Sequence, residues 1–177
     1  GFLNSKMNTQ ASGADTTTDL VARWTFDENY NESISSINTE LGGSALTYVN
    51  GIHGKAAVFN GEDQYLVADA HTKLDLGSTY TQNNDAFTIS MWLNLGDCKE
   101  TTKFLLDKGE SGWKGDYYFS QPYRVYLEDS RLDVELSNRY VDYNADYETT
   151  GSDYVDGAYV DGMEWFLYTI TYDGSRI

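Results

Sequence analysis

Asp133 and Glu135 are the first residues in this sequence whose types and spacing could do chemistry. They alternate in "RLDVELS", with Leu132, Val134 and Leu136 on the other phase. On a strand, residues two apart share a face with Cα atoms about 6.8 Å apart. Two carboxylates so placed could act as nucleophile and general acid at a glycosidic bond. Acids on the outward face of a strand are also ordinary solubilising groups, so the pair by itself assigns no catalytic residue.

A second set consists of aromatics and acids without bases. After Arg139, the stretch to Gly162 holds Tyr140, Tyr143, Tyr147, Tyr154 and Tyr159 with six acids and no lysine or arginine. Its acids at 142, 146, 153, 156 and 161 do not follow the alternate spacing of an EF-hand calcium loop. Tyrosine offers a flat apolar face rimmed by a hydroxyl, at low rotamer cost. Aspartate accepts two hydrogen bonds from vicinal hydroxyls. The combination suits a neutral polyol, with Tyr140, Tyr143, Tyr154, Tyr159 and Asp156 as contacts. The same composition fits an acidic flap or a β-hairpin extension covering a sheet edge, and it leaves these readings open. Trp113, between glycines in "ESGWKGDYY", reads as a loop residue. With Tyr117 it is the candidate stacking platform for the apolar face of a sugar ring. Trp24, Trp92 and Trp165 fall in strand patterns and read as core or near-core.

The elements that would position these residues are strands. "AFTISMWLNL" alternates Phe87, Ile89, Met91 and Leu93 with Thr88, Ser90, Trp92 and Asn94. "EWFLYTITYDG" alternates Trp165, Leu167, Thr169 and Thr171 with Phe166, Tyr168, Ile170 and Tyr172. "LVARWTF" reads as a strand, and "KAAVFNGEDQYLVA" as a hairpin turning at Asn60-Gly61-Glu62-Asp63. No amphipathic helix of ten residues or more is legible. Short strands between Gly, Asn and Asp turns predict an all-β antiparallel sandwich.

Composition narrows the function classes. The chain has 177 residues, 15 Tyr, 4 Trp, one Pro and 23% charged residues, which suits one folded domain rather than disorder. A net charge of −16 disfavours nucleic acid and anionic membranes as partners. Neutral polymers and cations remain. No apolar run approaches the roughly 18 residues that span a membrane. Cys98 is the single cysteine, and His53 and His71 are isolated, so zinc spacing is absent. Residues 1–18 read as a linker or post-signal tail, implying a secreted or cell-surface protein. Asn31-Glu32-Ser33 is a formal glycosylation sequon.

The order "ARWTFDE", "GIHGKAAVFNGEDQYLVA", "AFTISMWLNL", "FLLDKGE", "YRVYLEDSRLDVELSN" and "EWFLYTITYDGSRI" resembles the laminin G-like jelly roll of the concanavalin A-like lectin and glucanase superfamily. The resemblance runs from about Leu20 to Ile177. It implies a two-sheet antiparallel jelly-roll sandwich over 19–177, with a Tyr/Asp-rich insertion at 139–162. It also implies a binding rather than catalytic module, for glycans, proteins or calcium. By this resemblance Asp27 and Glu28, after "W-x-F", ligate a structural Ca2+ with loop carbonyls. Glucanase relatives carry Glu-x-Asp-x-Glu on one strand, and here the first position is Arg131, so the match is limited to Asp133 and Glu135. The family continues past the segment matching "YDGSRI" into closing strands. That implies further chain, or a second polypeptide, completing the sandwich.

The reading is a non-catalytic extracellular carbohydrate-binding module, part of a larger glycan-degrading or cell-surface protein. The alternative is a protein-interaction or adhesion module of laminin G-like type, and a glycoside hydrolase ranks below both.

Overall fold

The computed structural model describes residues 2–4, 19–74, 86–96, 102–109, 111–114, 117–120, 123–142, 147–155, 157, 159–160 and 164–173. Among them the chain is all-β, built from antiparallel sheets compatible with an all-β sandwich, and its one helical piece is a single turn at Thr72–Leu74. The strands are β1 (Phe2–Asn4), β2 (Thr39–Gly42), β3 (Thr47–Asn50), β4 (Lys55–Val58), β5 (Tyr65–Ala68), β6 (Phe87–Asn94), β7 (Lys103–Lys108), β8 (Ser111–Lys114), β9 (Tyr117–Ser120), β10 (Tyr123–Glu128), β11 (Arg131–Asp142), β12 (Tyr147–Val155) and β13 (Phe166–Tyr172). They form a five-stranded sheet ordered β13-β6-β1-β4-β3 and a six-stranded sheet ordered β7-β10-β11-β9-β8, with β12 also on β11. A third, two-stranded sheet is β2-β5. No helix among the described residues is long and apolar enough to cross a membrane.

Two compact units emerge from the Cα geometry. One holds Gly1–Leu74, Ile89–Gly96 and Gly162–Thr169, and the other Asp75–Thr88, Asp97–Asp161 and Ile170–Ile177. The first buries Phe26, Ile37, Ala56, Ala57, Met91, Leu93 and Leu95. The second buries Tyr123, Val125, Leu127, Leu132, Val134, Val160, Ile170 and Tyr172. Phe87 packs on Tyr123 and Tyr172, with ring centroids 5.9 and 5.4 Å away. The alternation read in "AFTISMWLNL" and "YTITY" is the alternation that buries Met91, Leu93, Ile170 and Tyr172.

Several local expectations are corrected. The Asn60-Gly61-Glu62-Asp63 turn exists, but it does not make a hairpin: β4 pairs with β1 and β3, while β5 pairs with β2. Asn60 builds the turn through its side chain, whose Oδ1 accepts from the amides of Glu62 and Asp63 at 2.9 and 3.2 Å. Gly61 takes φ 72°. These bonds reverse the chain without pairing the flanking strands, so the segment passes from one sheet to another. "LVARWTF" is not a regular strand either. It holds only an isolated bridge from Trp24 to Glu32, and the Trp24 indole donates to Thr39 Oγ1 at 2.9 Å. Residues 2–4, inside the stretch read as a tail, form β1.

Glu32 organises that irregular region. The residue is 8% exposed, and its carboxylate accepts four backbone N–H bonds, from Arg23 and Ile34 on Oε1 and from Ser35 and Ile37 on Oε2. Burial pushes the carboxyl pKa up, but the four backbone donors outweigh it and hold the group below its ordinary value. A segment with no more ladder bonding than one isolated bridge thereby satisfies further amides through one side chain.

Candidate functional site

β7, β10 and β11 lie side by side in the second unit, and their register sorts the side chains into two faces. Val125, Leu127, Leu132 and Val134 fill the buried face. On the other face the register aligns Asp107, Arg124 and Glu135 in a row across the three strands. Arg124 Nε donates to Asp107 Oδ1 at 3.0 Å, and its Nη1 lies 3.9 Å from Glu135 Oε2. All three side chains stay partly exposed. Both carboxylates flank one guanidinium, so the row carries fixed donors and acceptors and one net negative charge. At its β7 end Gly109 leaves room, since a Cβ there would come within 2.9 Å of Asp107 Oδ1 and 3.2 Å of Arg124 Nη2.

The next row is aromatic. Tyr126 lies between Phe104 and Asp133 in the register, and its ring centroid is 5.8 Å from that of Phe104 at 50°. Phe104 is 58% exposed. It reaches this face because the β7–β10 register shifts between Val125 and Tyr126. Val125 pairs with Leu106 and Tyr126 with Phe104, which leaves Leu105 as the extra residue. A bulge of this kind re-aims a side chain to the opposite face. Strict alternation would have turned Phe104 inward with Leu106. One row further, Glu128 faces Arg131, and Arg131 bridges Tyr159, which is 61% exposed.

Asp133 is not on a wet face. It is 3% exposed and accepts from the Gly157 amide at 3.0 Å. The reading of Asp133 and Glu135 as outward acids is therefore corrected for Asp133. Chain returning along β11 covers it, and its carboxylate serves that chain's backbone. Glu135 stands beside Arg124. The two carboxylates that shared a phase in the sequence have separate employments, one structural and one in the exposed row.

The sequence-predicted contact residues divide. Tyr154 pairs with Glu135 in the β11–β12 register, which extends the Asp107–Arg124–Glu135 row by one strand. Tyr159 lies at the Arg131 bridge on the same stretch of β11. Trp113 is not in a loop. Its backbone belongs to β8, paired opposite Tyr118 at the far edge of the sheet from β7. Tyr117 pairs with Lys114 and Asp142, and Tyr140 with Phe119 and Thr149, on that same β8–β9 side. Tyr143 and Asp156 lie outside the described residues. Much of the Tyr/Asp-rich stretch is a β-hairpin, in register from Val134↔Val155 to Asp142↔Tyr147.

Sequence reasoning passed over Phe104, Tyr126 and Arg124. Tyr126 and Arg124 carried a signal, since "YRVYLED" alternates them with Val125 and Leu127. Phe104 carried none, because nothing in "KFLLDK" marks the bulge.

Asp27 sits in a tight turn between two left-handed residues, Phe26 at φ 55° and Glu28 at φ 60°. Phe26 is buried and meets Phe59 edge-on, with centroids 6.4 Å apart, which holds the unusual conformation in place. Asp27 Oδ1 accepts from the Lys55 amide at 2.8 Å and so ties the turn to β4. The remaining donors are oxygens, as calcium prefers, but two acids supply few of its six to eight ligands. Among the described residues no group of three His, Cys, Asp or Glu side chains could hold a metal ion.

Comparison with known proteins finds no matching family model, no similar curated protein and no similar solved structure.

Proposed function

We propose that this chain is a non-catalytic carbohydrate-binding module of jelly-roll type that works outside the cell, and that its glycan lies on the face of β7, β10 and β11. One observation carries the reading: the exposed Phe104 ring, packed on the half-buried Tyr126 ring, stands one register row from Asp107, Arg124 and Glu135. Aromatic faces meet the axial C–H surface of a sugar ring, while the carboxylates and guanidinium offer fixed acceptors and donors to its vicinal hydroxyls. Tyr159, exposed at the edge of that face, supplies a further contact. The net negative row in a chain of charge −16 favours neutral over acidic polysaccharides.

A hydrolytic reading is weaker, because the buried Asp133 carboxylate already serves the Gly157 amide. Affinity gels loaded with neutral β-glucans, galactans, xylans and uronate polymers test the proposal. Retardation by at least one neutral polymer is expected. Retardation by none, together with capture on an immobilised protein partner, would favour the adhesion alternative.

A further inference from the structure

We infer that Asn50 is a site of spontaneous covalent modification: its carboxamide, polarised by Lys55, loses ammonia to the Gly51 amide nitrogen and is hydrolysed to a carboxylate. The other Asn-Gly pair, Asn60-Gly61, is protected by its own turn. This inference does not depend on the glycan reading.

The sequence holds two Asn-Gly pairs, Asn50-Gly51 and Asn60-Gly61. Glycine has no Cβ to obstruct its own amide nitrogen as it approaches Cγ of the preceding asparagine, and its backbone is free to make the approach. The nitrogen gives its proton to solvent and attacks Cγ, closing a five-membered succinimide ring. The Cγ–Nδ2 bond breaks, and the side-chain nitrogen takes up a proton and leaves as ammonia. Water then adds to either ring carbonyl and opens the ring, leaving aspartate or its β-linked isomer in place of asparagine. One water is consumed and one ammonia released, with no change in oxidation state.

The two pairs differ in what holds the asparagine side chain. Asn60 Oδ1 accepts from the amides of Glu62, Asp63 and Gln64 at 2.9, 3.2 and 3.4 Å. Its Nδ2, the group that would leave, donates to Asp63 Oδ1 at 2.5 Å. Ring closure there dismantles the turn. Asn50 is exposed at the end of β3, and Lys55 Nζ donates to its Oδ1 at 3.1 Å. Among the described residues no acceptor holds its Nδ2.

Lys55 is placed for this contact by the fold. It pairs with Asn50 across the β3–β4 hairpin, and its own amide is tied to Asp27 Oδ1 at 2.8 Å. An ammonium on Oδ1 draws electron density from Cγ and stabilises the oxyanion that forms on attack. The attacking Gly51 amide donates to the Gly54 carbonyl at 2.9 Å, so one bond across the hairpin tip must open first. Exposed tips open at the low end of local unfolding costs. The product carboxylate would stand beside the Lys55 ammonium. In the β-linked isomer the backbone gains a methylene at the end of β3, which disturbs the Asn50↔Lys55 pairing.

Incubating the folded full chain in mildly alkaline buffer made with heavy-oxygen water, followed by tryptic peptide mapping, reads both sites at once. Cleavage after Arg23, Lys55 and Lys73 puts Asn50 on peptide 24–55 and Asn60 on peptide 56–73, and fragment spectra assign the label to a residue. Label should accumulate at Asn50 about tenfold or more faster than at Asn60. In urea the two rates should converge, because both are then Asn-Gly pairs in open chain. With Lys55→Gln, the folded rate at Asn50 should fall several-fold while its rate in urea stays the same. Equal folded rates, or Asn60 ahead of Asn50, overturn the inference. So does an Asn50 that takes up no label when folded while the urea sample converts. A gap that survives in urea overturns it too, since flanking sequence rather than the fold would then set the rates. An unchanged folded rate with Lys55→Gln overturns the role given to the lysine.

Discussion

The Asp133 carboxylate accepts a hydrogen bond from the Gly157 amide at 3.0 Å, at a place where the chain beside β11 falls out of step with it. Val155 faces Val134 and Tyr159 faces Arg131, so one chain advances four residues while the other advances three. The extra residue lifts an amide out of the ladder, and Asp133 supplies its acceptor. Ladder bonding resumes beyond it, where the Val160 amide donates to the Ser130 carbonyl at 2.8 Å.

Gly157 is required at this bulge. A Cβ there would overlap the Leu132 carbonyl oxygen, which is backbone and cannot swing aside. Gly157→Ala should therefore cost about 2–4 kcal/mol and lower Tm by about 5–15 °C. Asp133→Ala leaves the Gly157 amide short of its acceptor and should cost about 1–3 kcal/mol. Asp133→Asn keeps an oxygen in place and should cost less. Thermal melts of the three variants check the order; Asp133→Asn melting below Asp133→Ala would contradict it.

The β10–β11 turn can be improved. Asp129 and Ser130 both take positive φ, 46° and 64°, as a two-residue I′ hairpin turn demands. Asn-Gly suits those angles better, because each left-handed residue with a Cβ carries a steric cost. Asp129→Asn with Ser130→Gly should add about 1 kcal/mol and raise Tm by about 2–4 °C. A calorimetric scan that shows no rise would mean that the serine side chain contributes what the glycine gains.

The alternation in β6 and β13 and the all-β class were legible because period-two burial is local. What failed depended on partners far along the chain. The Asn60-Gly61 turn fixed a chain reversal, but hydrogen bonding to β1, β2 and β3 decided where β4 and β5 went. Trp113 looked like a loop residue because glycines flank it, yet pairing with β9 draws it into a strand. Phe104 was hidden by a bulge, and Asp133 by a covering segment more than twenty residues away. The Tyr/Asp-rich stretch led reasoning toward Tyr154 and Tyr159, beside the exposed row, but gave no hint of Arg124 or Phe104.

Glu32 should make the fold acid-sensitive. Its carboxyl is held below the ordinary value of 4.5, because four backbone donors outweigh the opposing effect of burial. A lowered folded pKa contributes stability in full above about 4.5, and that stability is lost as pH falls toward the lowered value. Glu32→Gln turns two accepting contacts into repulsive ones and should cost about 2–4 kcal/mol near neutrality. It should also flatten the fall in Tm between about pH 5 and pH 3, and parallel Tm–pH curves for the two proteins would assign the acid sensitivity elsewhere.

A structural calcium at Asp27 and Glu28 would leave a thermal signature. Chelator should lower Tm, and millimolar calcium should restore it by mass action. Magnesium should substitute poorly, since irregular loop oxygens rarely form its tight octahedron. Superimposable melts with chelator and with calcium would leave Asp27 as a group that only pins the Lys55 amide.

The proposed binding face is tested most sharply at Phe104. Its ring is 58% exposed and outside the core, so Phe104→Ala removes little buried area and should leave Tm within about 2 °C. The same change removes one ring of the Phe104–Tyr126 pair, and a glycan stacked there should lose about 1–3 kcal/mol, roughly 5- to 150-fold in Kd. Arg124→Ala should weaken binding too, but with a Tm cost, because Asp107 and Glu135 would then face each other without the guanidinium between them. Trp113→Ala, at the far edge of the sheet, is the comparison that places the site. Isothermal titration with a polymer retained on affinity gels separates the cases. Loss at Phe104 and Arg124 with Trp113 unaffected puts the glycan on β7, β10 and β11. Loss at Trp113 alone would move it to the β8–β9 edge and leave the Phe104–Tyr126 pair without a ligand.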